Sequence, residues 1–190
     1  MSMRGISISE FGGPEVLQLK RNLTIPLPKQ NQVLIRVRAC NVSNQDISLR
    51  SGSNQNRNKN LDKPYTPGTE VSGFVEIIGE SVTKLNVGDR VYSFNGCKTG
   101  GCAQFCVLDE NDTFRLPEQL TLKQGACLGR SYFISYVCLV MKGGLVAGQN
   151  RVRCENSDKK TVIIICLFNF EFWQSCVDHF RHCLYLTLTS

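Results

Sequence analysis

A chain of 190 residues can bury a sizeable core, and its length suits one domain or one domain plus a fragment. The formal charge of +6 comes from Lys and Arg scattered along the chain, the pattern of a solvated surface, which excludes a nucleic-acid footprint. No run reaches the roughly 18 to 20 apolar residues that a spanning helix needs, the longest being Val162 to Phe168, so no membrane partner is expected.

Ten cysteines would suit a secreted disulfide framework if the context agreed. The N-terminus, Met1-Ser2-Met3-Arg4-Gly5-Ile6-Ser7, lacks the apolar stretch of a signal peptide. The cysteines therefore read as reduced thiols packing as small hydrophobes, and the expected location is cytoplasmic. The sequons at Asn22, Asn41 and Asn111 then count as chance matches.

In chain order, Arg4 to Ser9 alternates as a strand and turns at Gly12-Gly13-Pro14 into a second strand around Val16 to Lys20. Pro26 and Pro28 mark an edge or an extended connection, because proline donates nothing to a sheet ladder. Val33 to Cys40 alternates for eight residues and is the clearest strand. Asn44 to Arg50 is expected to be a short helix closed by Gly52. Ser53 to Lys63 is polar, lacks periodicity and reads as an exposed loop.

The stretch from Tyr65 to Val91 organises the rest. The Pro67-Gly68 turn opens a β-rich run in which Gly73 stands where a side chain would crowd a neighbouring backbone. The Gly88-Asp89 turn feeds another strand over Arg90 to Phe94, and a further strand is expected over Ala103 to Leu108. Leu120 to Lys142 reads as helical, ending before Gly143-Gly144. On pattern alone this is a strongly bent antiparallel β unit with glycines at its corners.

The residues also form an ordered set of separated motifs. Pro67-Gly68-x-Glu70-x-x-Gly73-x-Val75, Gly88-Asp89-Arg90-Val91 and Gly100-Gly101-x-Ala103-x-Phe105 come first. They are flanked by Glu10-Phe11-Gly12-Gly13-Pro14-Glu15-Val16-Leu17 upstream, and by Leu116-Pro117 and Tyr132-Phe133 downstream. From about Met3 to Gln149 the chain resembles the medium-chain dehydrogenase/reductase superfamily, and within it the zeta-crystallin-like quinone oxidoreductases. The resemblance implies a mainly β fold with some α: a bent GroES-like β-barrel over residues 1–125 and, over 126–149, the helical start of a cofactor domain. It also implies NADPH as cofactor and a small quinone or enone as the hydride acceptor.

After Gln149 the character changes. All 16 glycines lie at or before Gly148, and residues 150–190 are expected to be a poorly ordered tail foreign to the family, with at most a strand over Thr161 to Leu167. A dinucleotide needs a glycine-rich turn between strand and helix to bring backbone amides to its pyrophosphate. In the resembled family that turn follows the residues matching Ala147-Gly148-Gln149, whereas here the chain continues Asn150-Arg151-Val152-Arg153. The expectation is that this polypeptide binds no NADPH, although its family does. A frameshifted or intron-containing gene model would account for the tail, and a transcript read across Gly148 to Asn150 would test that.

The remaining chemistry follows from residue types. Zinc alcohol dehydrogenases of the superfamily carry Cys and His at the positions matching Ser43 and Thr69, and hydroxyls at both make a catalytic zinc unexpected. Cys97-x4-Cys102-x3-Cys106 has alternating positions and no nearby His, which favours packing thiols over a metal cluster. Cys176-x2-His179-x2-His182-Cys183 offers better ligand types but no turn residues to fold a zinc module. With no histidine before His179, imidazole acid–base chemistry is absent from the recognisable domain.

The resemblance places the family's cleft acid on Asp46, its Arg on Arg50 and its Gly on Gly52. Its Asn falls on Ser43, with Asn44 one place later, and its two tyrosines fall on Ser48 and Asn54. The family's Pro and Thr near the nicotinamide fall on Ser131 and Ile134, while Tyr136 still matches. The expected cofactor-binding residues are Asn44, Asp46, Arg50 and Tyr136. Asp46 reads equally as a helix-start residue and Arg50 as a surface partner. Two functions compete: an NADPH:quinone oxidoreductase, and a non-catalytic β-barrel fragment or interaction domain.

Overall fold

The computed structural model describes residues 1–53, 62–93, 97, 99–129, 132, 133, 136 and 141. Seven strands and two short helices follow in order. They are β1 (Ser2–Ser7), β2 (Gln18–Thr24), β3 (Gln32–Asn41), α1 (Asn44–Ser51), β4 (Glu70–Ile78), β5 (Arg90–Ser93), β6 (Phe105–Asp109), β7 (Thr113–Arg115) and α2 (Leu122–Cys127). The fold is mainly β with some α, as expected. The chain divides into two compact units, Met1–Arg130 and Ser131–Ser190.

Strands β6-β3-β4-β5-β7 form one antiparallel sheet and β1-β2 a second. Isolated bridges join Gly5 to Ala103 and Ile8 to Tyr65, so the small sheet is stitched to the larger one and the whole curls into a half-barrel. Val33, Ile35, Val71, Val75, Leu85, Val91, Cys97, Cys106 and Leu108 fill the interior. Each fully buried aliphatic side chain contributes about 1.5–3 kcal/mol, so this cluster dominates the stability of the unit.

The alternation of β3 breaks where it matters most. Val33, Leu34 and Ile35 are all buried in succession. The register against β4 shifts between Leu34 and Ile35, and again between Val37 and Ala39, and each extra residue re-aims the side chains that follow. At Gly73, paired with Val37, an added Cβ would run into the Arg36 carbonyl oxygen. The crowding expected there is real, and only glycine lets the bent strands pair.

In β4 the run Glu70, Val71, Ser72 and Gly73 is buried throughout, because α2 packs across β3, β4 and β5. The Ser72 hydroxyl donates to the Leu122 carbonyl of α2.

Several expectations shift by a few residues. Val16 belongs to a 3-10 turn over Pro14–Val16, because Pro14 sets the turn and Glu15 folds back to accept the Gly13 amide at 2.6 Å. The second strand therefore starts at Gln18. The helix expected over Leu120 to Lys142 is interrupted: α2 ends at Cys127, and Leu128 and Gly129 form a turn. Gly129 lies against the Glu70 side chain and the Ser93 carbonyl, which fixes the chain's exit from α2. Strand β7 has three residues, too few to show a period in the sequence. In the second unit, Tyr132, Phe133 and Tyr136 are helical and Met141 lies in a π-helical turn. Most of the polar loop, Phe94, and the residues of the expected tail lie outside the described residues.

Candidate functional site

The site begins at the start of α1. Ser43 is the N-cap and Asp46 stands three residues later, the spacing of a capping box. The Ser43 amide and hydroxyl both donate to Asp46 Oδ2, at 2.9 and 2.8 Å. The other carboxylate oxygen accepts the buried amide of Gly68 at 3.1 Å. Asp46 is only 7% exposed, so this acid is spent on holding the helix start against the turn that leads into β4. It is a helix-start residue that also anchors the Gly68 turn.

Asn44, the first residue of α1, is exposed. Arg50 lies in the last turn and is half-buried, and its carbonyl accepts the Gly12 amide at 3.0 Å. The helix ends as expected at Gly52, whose φ of 71° is the left-handed conformation that glycine adopts freely. The Phe11 ring packs over Gly52, and Lys63 Nζ sits 3.1 Å from the centroid of that ring.

Sequence reasoning missed Tyr65. Its backbone exchanges two hydrogen bonds with Ile8, at 2.8 and 3.0 Å, which holds the residue firmly beside α1. Among the described residues, the buried Tyr65 hydroxyl has no hydrogen-bond partner, and neither does Arg50 Nε. Burial first, and then the Asp46 carboxylate, push the Tyr65 phenol above its ordinary value, while the Arg50 guanidinium pulls the other way. Asp46 and Arg50 thus both act on the Tyr65 phenol, which links the three residues electrostatically. The sequence carried no signal for this, because Tyr65 lies outside any periodic element and 15 residues after Arg50.

Ser48, in α1, is half-buried; Asn54, Ser131 and Ile134 lie outside the described residues. Tyr136 is helical and 39% exposed in the second unit. Ser43, at the position matching a zinc ligand, donates its hydroxyl hydrogen bond to Asp46. Among the described residues, no three His, Cys, Asp or Glu side chains converge as a metal site.

A dinucleotide's phosphates fit these residues poorly. At α2 the Thr121 amide donates to Gln124 Oε1 at 2.8 Å and Thr121 Oγ1 accepts the Gln124 amide at 3.3 Å. Both described helix starts thus carry capping boxes, and neither follows a glycine-rich turn of the kind a pyrophosphate requires.

Comparison with known proteins names the domain. Residues 29–118 match the alcohol dehydrogenase GroES-like domain. The chain thus carries an alcohol dehydrogenase GroES-like domain, and it is similar to quinone oxidoreductases. It is 39% identical over 148 residues to a quinone oxidoreductase from Homo sapiens and 42% identical over 148 residues to one from Rattus norvegicus. Each alignment covers 78% of this chain and 44% of the relative, so the chain spans less than half the length of these relatives.

Among solved structures, a mycobacterial quinone oxidoreductase superposes with a TM-score of 0.67 at 30% identity, covering 77% of this chain and 44% of that one. A mycobacterial protein complexed with NADPH gives 0.66 at 30% identity, with the same coverage. A human synaptic vesicle membrane protein VAT-1 homolog-like protein gives 0.69 at 29%, covering 78% and 45%. Among the described residues of this GroES-like chain, no helix is long and apolar enough to cross a membrane.

Proposed function

We propose that this domain forms the substrate-side wall of a zinc-independent NADPH:quinone oxidoreductase of the zeta-crystallin-like type, acting in the cytoplasm on a small quinone or enone. The observation that carries this reading is a pair of buried polar atoms, Arg50 Nε and Tyr65 Oη, that have no partner among the described residues. Both can donate a hydrogen bond, and a quinone or enone presents carbonyl oxygens that accept them. In this reading Asp46 keeps α1 in place, exposed Asn44 serves the cofactor from the first unit, and Tyr65 takes over part of the work of the phenols absent at Ser48 and Asn54. The hydride chemistry itself is the cofactor's.

The domain division follows the same reading: 1–125 as barrel, 126–149 as the start of a cofactor domain, and 150–190 as sequence foreign to the family. Residues 150–190 contain no glycine, and the described helix starts cap themselves, so a polypeptide of these 190 residues should bind NADPH weakly. Titration of NADPH followed by fluorescence, with a quinone-reduction assay beside it, tests this. Saturable micromolar binding, or turnover above the uncatalysed rate, overturns it. A relative's dinucleotide half joined after Gln149 should restore binding, with turnover weak until tyrosines replace Ser48 and Asn54. Metal analysis tests the zinc claim: one zinc per chain, lost on Ser43→Ala, would defeat it.

A second reading, a non-catalytic interaction domain, draws on β2, where Leu17 and Leu19 flank and enter a strand that is almost wholly exposed. Failure of the joined chain to reduce quinones, despite NADPH binding, would favour it.

A further inference from the structure

We propose that Cys40 and Cys102 form a reversible oxidation site, at which hydrogen peroxide closes a disulfide inside the barrel domain. The two residues stand 62 apart in sequence, and their sulfur atoms face each other at 3.8 Å. Both backbones are held. Cys40 pairs with Val71 in the β3–β4 ladder. Cys102 donates its amide to the Pro67 carbonyl at 2.9 Å and accepts the Ile6 amide at 2.8 Å. To bond, the two sulfurs must close from 3.8 Å to about 2.05 Å.

Gly68 leaves the gap between the sulfurs clear. A Cβ there would lie 2.6 Å from Cys40 Sγ and 2.9 Å from Cys102 Sγ. Access separates this pair from the other thiols nearby. Cys40 and Cys102 are half-buried, whereas Cys97 and Cys106 are buried in the core. A small oxidant reaches the first pair without opening the fold.

The two thiols are also unequal. The hydrogen bond with Cys40 holds the Cys102 thiol below its ordinary value, against burial and the Asp46 and Cys97 charges. That same bond, with burial and the Cys102, Asp46 and Cys97 charges, pushes Cys40 up. Cys102 is thus the nucleophile and Cys40 the resolving thiol.

The Cys102 thiolate attacks one oxygen of hydrogen peroxide, breaking the O–O bond; this gives the sulfenic acid and releases hydroxide. The Cys40 sulfur then attacks the Cys102 sulfur, losing its proton as the hydroxyl departs as water. Two thiols have given two electrons and peroxide has become water. A dithiol reverses the change.

The test treats the reduced 190-residue chain with hydrogen peroxide, alkylates the free thiols and maps the non-reduced digest by mass spectrometry. The expected main crosslink joins the Cys40 and Cys102 peptides, lacks two hydrogens and disappears with dithiothreitol. Cys40→Ser should leave Cys102 as a sulfenic acid that dimedone traps, and Cys102→Ser should leave Cys40 unmodified. Alkylation of both residues while other cysteines oxidise would overturn the proposal. So would Cys102 running on to the sulfinic acid in the native chain with Cys40 still free. The native chain's own crosslink map decides the matter even if a variant misfolds.

Discussion

The carboxylate of Asp46 accepts the amide of Gly68 across 3.1 Å, so one buried acid ties the start of α1 to the turn that opens β4. The same side chain satisfies the Ser43 amide and hydroxyl. Asp46→Ala leaves the Ser43 and Gly68 donors without an acceptor and removes a cap. Loss of a cap costs about 1 kcal/mol and an orphaned buried donor about 1–3 kcal/mol. Urea unfolding should register a loss of about 2–4 kcal/mol; a change under about 0.5 kcal/mol, the size of an ordinary surface substitution, would contradict this role.

Two glycine substitutions should separate crowding from backbone strain. At Gly73 an alanine Cβ meets the Arg36 carbonyl in the middle of the β3–β4 ladder. At Gly88 the space is open, and only the φ of 91° resists a side chain. Gly88→Ala should cost about 1–2 kcal/mol, the price of a left-handed residue. Gly73→Ala should cost more, because backbone on both strands must move and the β3–β4 pairing is central. Denaturant midpoints of the two variants give the order directly, and the reverse order would refute it.

Tyr65→Phe should behave unlike most deletions of a buried polar group. The hydroxyl has no partner to lose, so the folded state forfeits no hydrogen bond and sheds a desolvated oxygen. Stability should stay within about 0.5 kcal/mol of the parent or rise, while affinity for a small quinone falls. A stability loss above about 1.5 kcal/mol, the upper range of a typical hydrogen bond, would mean that the hydroxyl is structural.

Acid should reveal Glu110. Its Oε1 accepts the amides of Thr83 and Lys84, at 2.7 and 2.5 Å. These bonds, chiefly the one from Lys84, hold its pKa below the ordinary 4.5. With the folded value depressed, the unfolded chain binds the proton more readily. The contribution is therefore present above pH 4.5 and disappears as pH falls through the lower folded value. Below pH 4.5, stability should fall less steeply in Glu110→Gln than in the parent. Parallel acid limbs would show that Glu110 contributes nothing to the pH dependence.

The sequence by itself determined the parts governed by local rules. The alternation over Val33 to Cys40 made β3 legible, Asn44 to Arg50 closed by Gly52 marked α1, and the spaced glycine motifs marked the resemblance. Gly73 was legible because a glycine inside a strand announces a close backbone. Tertiary structure decided the rest. Whether Asp46 would face a ligand or its own chain depended on Gly68, which arrives 22 residues later. The Ile8–Tyr65 bridge holds Tyr65 where Asp46 and Arg50 act on its phenol, and the Cys40–Cys102 contact needs the loop after Gly100 to fold back on β3. Periodicity reports which way a side chain faces on its own element. Burial, and the partners that satisfy or orphan a polar atom, come from elements distant in sequence.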